Sequence, residues 1–173
     1  MNTKSNKDLN IYFSKDIINS RIKQIANQLS NKFSNDYPVI IGVLNGSFIF
    51  LADLVRLFEF DCEIDFVKAN SYVGKKSSGK VKLDKDVSID LKNRRVILVE
   101  DIIDSGLTIE FLYKHILSLL PKDITIVTLL SKKNSYKLNF NVDIIGFEIE
   151  SDFIVGYGLD LNQRFRNLGS LYS

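Results

Sequence analysis

Four short runs of β-branched and aliphatic residues, each set apart by helix-length or polar segments, constrain this chain most. They are Val39-Ile40-Ile41-Gly42-Val43-Leu44, Val96-Ile97-Leu98-Val99, residues 124–130 and residues 142–147. An unbroken apolar run of this length reads as a strand covered on both faces, which is the habit of parallel strands. The intervening segments have helical spacing. In residues 14–33, Ile18, Ile22, Ile25, Leu29 and Phe33 recur at intervals of three and four, with Ser14 placed to cap the start. A second helix is expected from Phe48 to Phe58. A third follows the second apolar run, with Leu112, Ile116 and Leu119 on one face and Pro121 as its stop. Strands alternating with helices predict an α/β fold with a mostly parallel central sheet flanked by helices. Residues 81–89 alternate apolar and charged positions and predict a half-exposed strand.

The 173 residues carry no Pro/Gly/Ser-rich linker and no internal repeat, so one domain spanning 1–173 is expected. Hydrophobic content of 45% and charged content of 25% exclude disordered and collagen-like classes. The net charge is +2, from 23 basic and 21 acidic residues, which gives no reason to expect a nucleic-acid or anionic-membrane surface. Residues 1–10 are polar and lack the apolar run of a signal peptide. No apolar stretch reaches the roughly 18 residues of a membrane span. These features predict a soluble, cytoplasmic protein. The single cysteine, Cys62, has no partner for an internal disulfide and reads as a small apolar residue.

In a parallel sheet the functional cleft lies beyond the carboxyl ends of the strands. The segment after Val99 is the richest there: Glu100-Asp101-Ile102-Ile103-Asp104-Ser105-Gly106-Leu107-Thr108, then a helix. Its three carboxylates suit the vicinal hydroxyls of a sugar and a hard cation such as Mg²⁺. Ser105, Gly106 and Thr108 then open a helix, where backbone N–H groups, the positive dipole end and two hydroxyls suit a phosphate. Gly106 lets the backbone come close to that phosphate. Acid for a sugar followed by a cradle for its phosphate describes a phosphoribose site.

This segment resembles the phosphoribosyl-pyrophosphate motif of type I phosphoribosyltransferases, in the form found in the hypoxanthine-guanine branch. The resemblance extends from about Ile40 to Arg166. It implies a small C-terminal hood over the base and a flexible lid loop on the α/β frame. It further implies that Glu100 and Asp101 hold the ribose hydroxyls and influence the metal, and that residues 104–108, Leu107 included, bind the 5-phosphate. Asp104 would be the general acid/base at purine N7. Leu44-Asn45-Gly46-Ser47 resembles the family's pyrophosphate loop, often built on a non-proline cis peptide, here between Leu44 and Asn45. The family often has a basic residue at the position of Asn45. Ser71-Tyr72, followed by a polar stretch, resembles the catalytic lid.

The resemblance also speaks to substrate. The lysine matching Lys132 donates to the purine 6-oxo group and the aromatic matching Phe153 stacks on the ring. A cationic donor favours an oxo acceptor over the 6-amino group of adenine. Ile154 would hold the base edge through its backbone, Asp160 would serve the base site and a second Mg²⁺, and Arg166 would hold pyrophosphate. The implied partners are phosphoribosyl pyrophosphate and a 6-oxopurine, with assembly as a homodimer or homotetramer.

Two decoys and two competing readings remain. Residues 74–80 read as G-x-x-x-x-G-K, yet Val81 stands where a P-loop needs Ser or Thr, and a strand pattern follows. His115 lies inside a helix with no second metal-binding partner. A phosphoribosyltransferase for adenine, orotate or uracil would share the acidic segment but not Lys132 and Phe153. A regulator that senses phosphoribosyl pyrophosphate and binds RNA would need a basic, aromatic-bearing face, which the near-neutral charge does not favour.

Overall fold

The computed structural model describes residues 9–71, 81–132 and 135–173. A six-stranded sheet runs through its centre. Its strands are β2 (Val39–Leu44), β3 (Glu63–Ser71), β4 (Val81–Lys85), β5 (Arg95–Ile103), β6 (Asp123–Lys132) and β7 (Ile144–Ile149), in the spatial order β4-β3-β2-β5-β6-β7. Every neighbouring pair is parallel except the antiparallel edge pair of β3 with β4. A small second sheet joins the first and last described segments, where β1 (Ile11–Phe13) pairs antiparallel with β8 (Leu171–Tyr172).

Alternation along the central strands divides the core into two layers. Ile40, Ile97, Val99, Val127 and Leu129 face α1 (Lys15–Phe33) and α2 (Phe48–Val55), packing with Ile18, Ile22, Ile25, Leu29 and Phe50. Val39, Ile41, Val96, Leu98 and Ile126 face the other way, onto Ile109, Leu112 and Ile116 of α3 (Leu107–Ser118). That two-sided cover is why these runs carry no polar alternation. Each fully buried Ile or Leu contributes roughly 1.5–3 kcal/mol of transfer free energy.

The helices start where the sequence signals them. Ser14 accepts the Ile17 N–H at 3.4 Å and caps α1. Gly106, at φ 78°, precedes α3, and only glycine adopts this left-handed geometry without a Cβ penalty. Four boundaries differ from expectation. The β5 strand continues through Glu100 and Asp101 to Ile103, because Glu100, Ile102 and Ile103 pair with Thr128, Leu130 and Ser131 of β6. The acidic pair therefore sits on a strand, not in a turn. Helix α2 stops at Val55, where Leu57 and Phe58 N–H bond three residues back to Leu54 and Val55. Strand β4 ends at Lys85, since the Ser88 and Ile89 N–H groups turn to the Asp65 carboxylate. Strand β7 begins at Ile144, after Asp143 has bonded Ile126 through both its N–H and its side chain. Among the described residues no helix is long and apolar enough to cross a membrane.

Candidate active site

The carboxyl ends of β2, β3 and β5 open into a cleft of about 510 Å³. Leu44, Asn45 and Gly46 leave β2 on one side, and the peptide between Leu44 and Asn45 is cis. Glu100 and Asp101 of β5 form the floor. Asp104, Ser105, Gly106 and Thr108 wrap the start of α3, and Asp160 and Arg166 close the far wall. A smaller cavity of about 220 Å³ adjoins it and shares Asp101, Ile102, Asp104 and Asp160. Lys132, Asp152, Phe153, Ile154 and Leu159 complete its lining.

Gly46 lets the β2 loop close onto the acidic floor. A Cβ there would stand 1.5 Å from Asp101 Oδ2, so any side chain would displace the carboxylate or the loop. Glu100 is 5% exposed, and its Oε2 has no hydrogen-bond partner among the described residues. Its Oε1 accepts the Asp101 N–H at 3.3 Å. Burial, and next the charge of Asp101, pushes the Glu100 carboxyl well above its usual range. Burial likewise raises the Asp101 carboxyl, against the lowering pull of hydrogen bonds from its surroundings and of Arg166. A buried carboxylate oxygen without a partner calls for a hydroxyl or a cation.

Two ion pairs line the joined cavities. Lys132, the last residue of β6, places Nζ 2.8 Å from Asp104 Oδ2, just past the end of neighbouring β5. Arg166 Nη2 lies 2.6 Å from Asp160 Oδ1, while Nη1 donates to the Gly158 carbonyl at 2.7 Å. Phe153 is 57% exposed, leaving its ring face free to stack. Basic and acidic groups thus ring a polar cleft that joins an aromatic-edged pocket.

The family model of the phosphoribosyl transferase domain matches residues 10–162. The chain belongs to this family. It is 40% identical over 168 residues to the hypoxanthine-guanine phosphoribosyltransferase of Aquifex aeolicus, covering 96% of this chain and 94% of that protein. It is 42% identical over 155 residues to the hypoxanthine phosphoribosyltransferase of Escherichia coli, covering 87% and 86%. Among solved structures, a hypoxanthine-guanine phosphoribosyltransferase from Bacillus anthracis superposes with a TM-score of 0.88 at 40% identity, covering 95% of each chain. The Trypanosoma cruzi hypoxanthine phosphoribosyltransferase in complex with the product IMP gives 0.88 at 30% identity, covering 98% of this chain and 96% of that one. These relatives place this phosphoribosyltransferase in the hypoxanthine-guanine branch.

The structure gathers nearly every expected site residue of the phosphoribosyltransferase into the two joined cavities. Leu107 is the exception: it opens α3, is 44% exposed, and lines neither cavity. Ser71 ends β3, and Tyr72 and the rest of the expected lid to Lys80 lie outside the described residues. Sequence reasoning did not assign Val43, Ala69, Ile102, Ile103 and Ile109 in the larger cavity, or Asp152 and Leu159 in the smaller one. Asp152 directly precedes Phe153, and its neighbourhood was its only local signal. Val81 opens a strand, in keeping with rejection of the P-loop. His115 Nε2 pairs with Asp86 Oδ1 at 2.7 Å, and Cys62 is half-buried against the α1–α2 core.

Proposed function

We propose that this enzyme salvages purine bases. It transfers the 5-phosphoribosyl group from phosphoribosyl pyrophosphate to N9 of hypoxanthine or guanine, giving IMP or GMP and pyrophosphate. The observation that carries the reading is the junction of the two cavities at Asp104. On one side lies a helix-start cradle with an acidic floor, on the other a pocket bearing Lys132 and Phe153.

Residues 105–108 bind the 5-phosphate through N–H groups and hydroxyls at the start of α3. Glu100 and Asp101 accept hydrogen bonds from the ribose diol. Lys132 donates to the 6-oxo group, the Ile154 backbone meets the base edge, and Phe153 stacks on the ring. As N9 forms its bond to the anomeric carbon and the bond to pyrophosphate breaks, Asp104 accepts the proton from N7. Arg166 and the backbone of Leu44, Asn45 and Gly46 stabilise the departing negative charge.

The residues fit Mg²⁺. Glu100 Oε2 is buried and unpartnered, and Asp101 and Asp160 supply further hard oxygen atoms nearby. Mg²⁺ takes one or two carboxylates and completes its shell with water and substrate phosphate. That habit agrees with the lack, among the described residues, of three converging ligand side chains. When bound, Mg²⁺ neutralises pyrophosphate charge and makes it a better leaving group. A cytoplasmic location, one domain and assembly as a homodimer or homotetramer belong to the same reading.

The test is nucleotide formation from hypoxanthine, guanine, xanthine and adenine, each with phosphoribosyl pyrophosphate and Mg²⁺. Hypoxanthine and guanine are expected to react and adenine to fail. Turnover of adenine alone would overturn the assignment of Lys132.

A further inference from the structure

Tyr157 lies between Gly156 and Gly158 in the stretch leading to Asp160, and it is 4% exposed. Its hydroxyl donates to Asp53 Oδ2, on helix α2. That helix begins directly after the Leu44-Asn45-Gly46-Ser47 turn, so a bond to Asp53 bears on where the turn sits. The other Asp53 oxygen takes a hydrogen bond from Arg56, which fixes the carboxylate. Burial, and next the hydrogen bond to Asp53, raises the phenol's pKa, so Tyr157 remains the donor.

The residue after Tyr157 touches the β2 loop itself. A Cβ on Gly158 would stand 2.0 Å from the Gly46 carbonyl oxygen, so the two backbones are in direct contact. Gly158 also accepts Arg166 Nη1 at 2.7 Å and gives its own N–H to the Arg166 carbonyl at 2.9 Å. One residue thus joins the loop and the arginine that face the same end of the cleft. Apolar packing alone would seat the Tyr157 ring, but it would not set how far α2 and its loop slide past Gly158. A directional bond between a buried hydroxyl and a carboxylate does set that register.

We propose that Tyr157 and Asp53 are positioning residues for the pyrophosphate end of the cleft, holding the Gly46 backbone and Arg166 in one fixed arrangement. The inference rests on the reading of the cleft as a phosphoribosyl-pyrophosphate site. Neither side chain touches substrate, and each acts through the backbone of Gly158 and Gly46.

The reverse reaction, IMP with pyrophosphate, separates this role from general support. Tyr157→Phe keeps the ring and loses the hydroxyl. We expect its KM for pyrophosphate to rise about tenfold, the scale of one hydrogen bond to a charged group. The Kd for IMP, whose phosphate sits on residues 105–108 and whose base is held by Lys132 and Phe153, should stay within about twofold. Asp53→Ala should match it, and the double variant should be no worse than either single one. Asp53→Asn, whose amide oxygen still accepts the hydroxyl, should retain most of the pyrophosphate affinity. An unchanged pyrophosphate KM in Tyr157→Phe would overturn the proposal. So would parallel losses of IMP and pyrophosphate affinity with a fall in Tm, which mark a merely structural pin. A wild-type enzyme inactive with IMP and pyrophosphate would instead sink the functional reading, and this proposal with it.

Discussion

Lys132 Nζ and Asp104 Oδ2 stand 2.8 Å apart, so the two side chains assigned to opposite tasks on the base hold each other in the free enzyme. The pairing follows from the sheet, since Ile103 and Ser131 are partners across β5 and β6 and each charged residue comes next in its chain. The Lys132 side chain is 14% exposed and that of Asp104 is 59% exposed. The lysine is thus the better desolvated of the two, while the carboxylate reaches into the open cleft. On the proposed reading, an entering purine offers the lysine a 6-oxo acceptor as the pair opens. That exchange gives the first two predictions.

Asp104→Asn preserves shape and removes the base. Turnover should fall by roughly 10²–10⁴-fold, with a much smaller change in affinity for phosphoribosyl pyrophosphate. Steady-state rates with a parallel binding titration check this, and near-wild-type turnover would remove Asp104 from the chemistry.

Lys132→Ala should weaken the use of hypoxanthine and guanine by about 1.5–3 kcal/mol in kcat/KM, the cost of a charge-assisted hydrogen bond in a desolvated site. Binding of phosphoribosyl pyrophosphate should remain close to that of the wild type. Equal losses for both substrates, measured side by side, would show that the lysine supports the fold and not the base.

Much of this arrangement was legible in the sequence, for local reasons. The runs that became β2, β5 and β6 are buried on both faces, and α1 carries its cap and its apolar stripe in adjacent residues. The segment around Asp104 keeps its carboxylates, its glycine and its helix start within a few residues, so its order could be read directly. Strand β3 could not be read this way. It carries Asp65 on a buried position, and beyond the adjacent Phe66 N–H that carboxylate is satisfied by Lys85, Ser88 and Ile89, some twenty residues further on. Strands β1 and β8, of three and two residues, exist because they pair with each other across the length of the chain, and neither has a local signal. Glu100 and Asp101 read as a turn because charge is costly in a buried strand, and the site accepts that cost. The contact of Tyr157 with Asp53 joins residues 104 positions apart, a relation that appears only once the sheet is closed.

Asp65 should behave as a stabilising buried anion. Burial raises its carboxyl, but the N–H groups of Ser88 and Phe66 and the Lys85 ammonium outweigh that and hold it below the usual range. A carboxyl depressed in the folded state adds stability above its unfolded pKa of about 3.9, and this is lost as pH falls through the lower folded value. Asp65→Ala strips an acceptor from Ser88, Ile89 and Lys85. It should cost about 2–3 kcal/mol at neutral pH, with a smaller loss near pH 3. Urea unfolding at the two pH values measures the difference, and a pH-independent loss would assign the cost to packing alone.

Glu100 should show the opposite sign. Its folded carboxyl is raised, by burial first and by Asp101 second, so the folded state keeps a proton that the unfolded chain gives up near pH 4.3. Stability is then greatest below that pH and falls as pH rises through the window up to the folded value. At neutral pH the acidic floor therefore weakens the free protein, a cost tolerable only if a ligand uses it. Glu100→Gln removes the charge and keeps the shape. The amide oxygen can still take the Asp101 N–H, and the amide N–H₂ can donate to the Asp101 carboxylate beside it. The variant should melt about 2–4 °C higher at pH 7.5, the shift that roughly 1 kcal/mol gives in a chain of this size. The fall of Tm as pH rises above about 4.3 should also flatten. Its affinity for phosphoribosyl pyrophosphate in the presence of Mg²⁺ should drop by about tenfold or more, because a neutral amide oxygen is a weaker acceptor and a weaker ligand than the carboxylate left when the cation displaces the proton. Calorimetric melting across that pH range, with and without phosphoribosyl pyrophosphate and Mg²⁺, reads both effects in one series. A lower Tm together with unchanged ligand stabilisation would mean that Glu100 serves the fold and not the site.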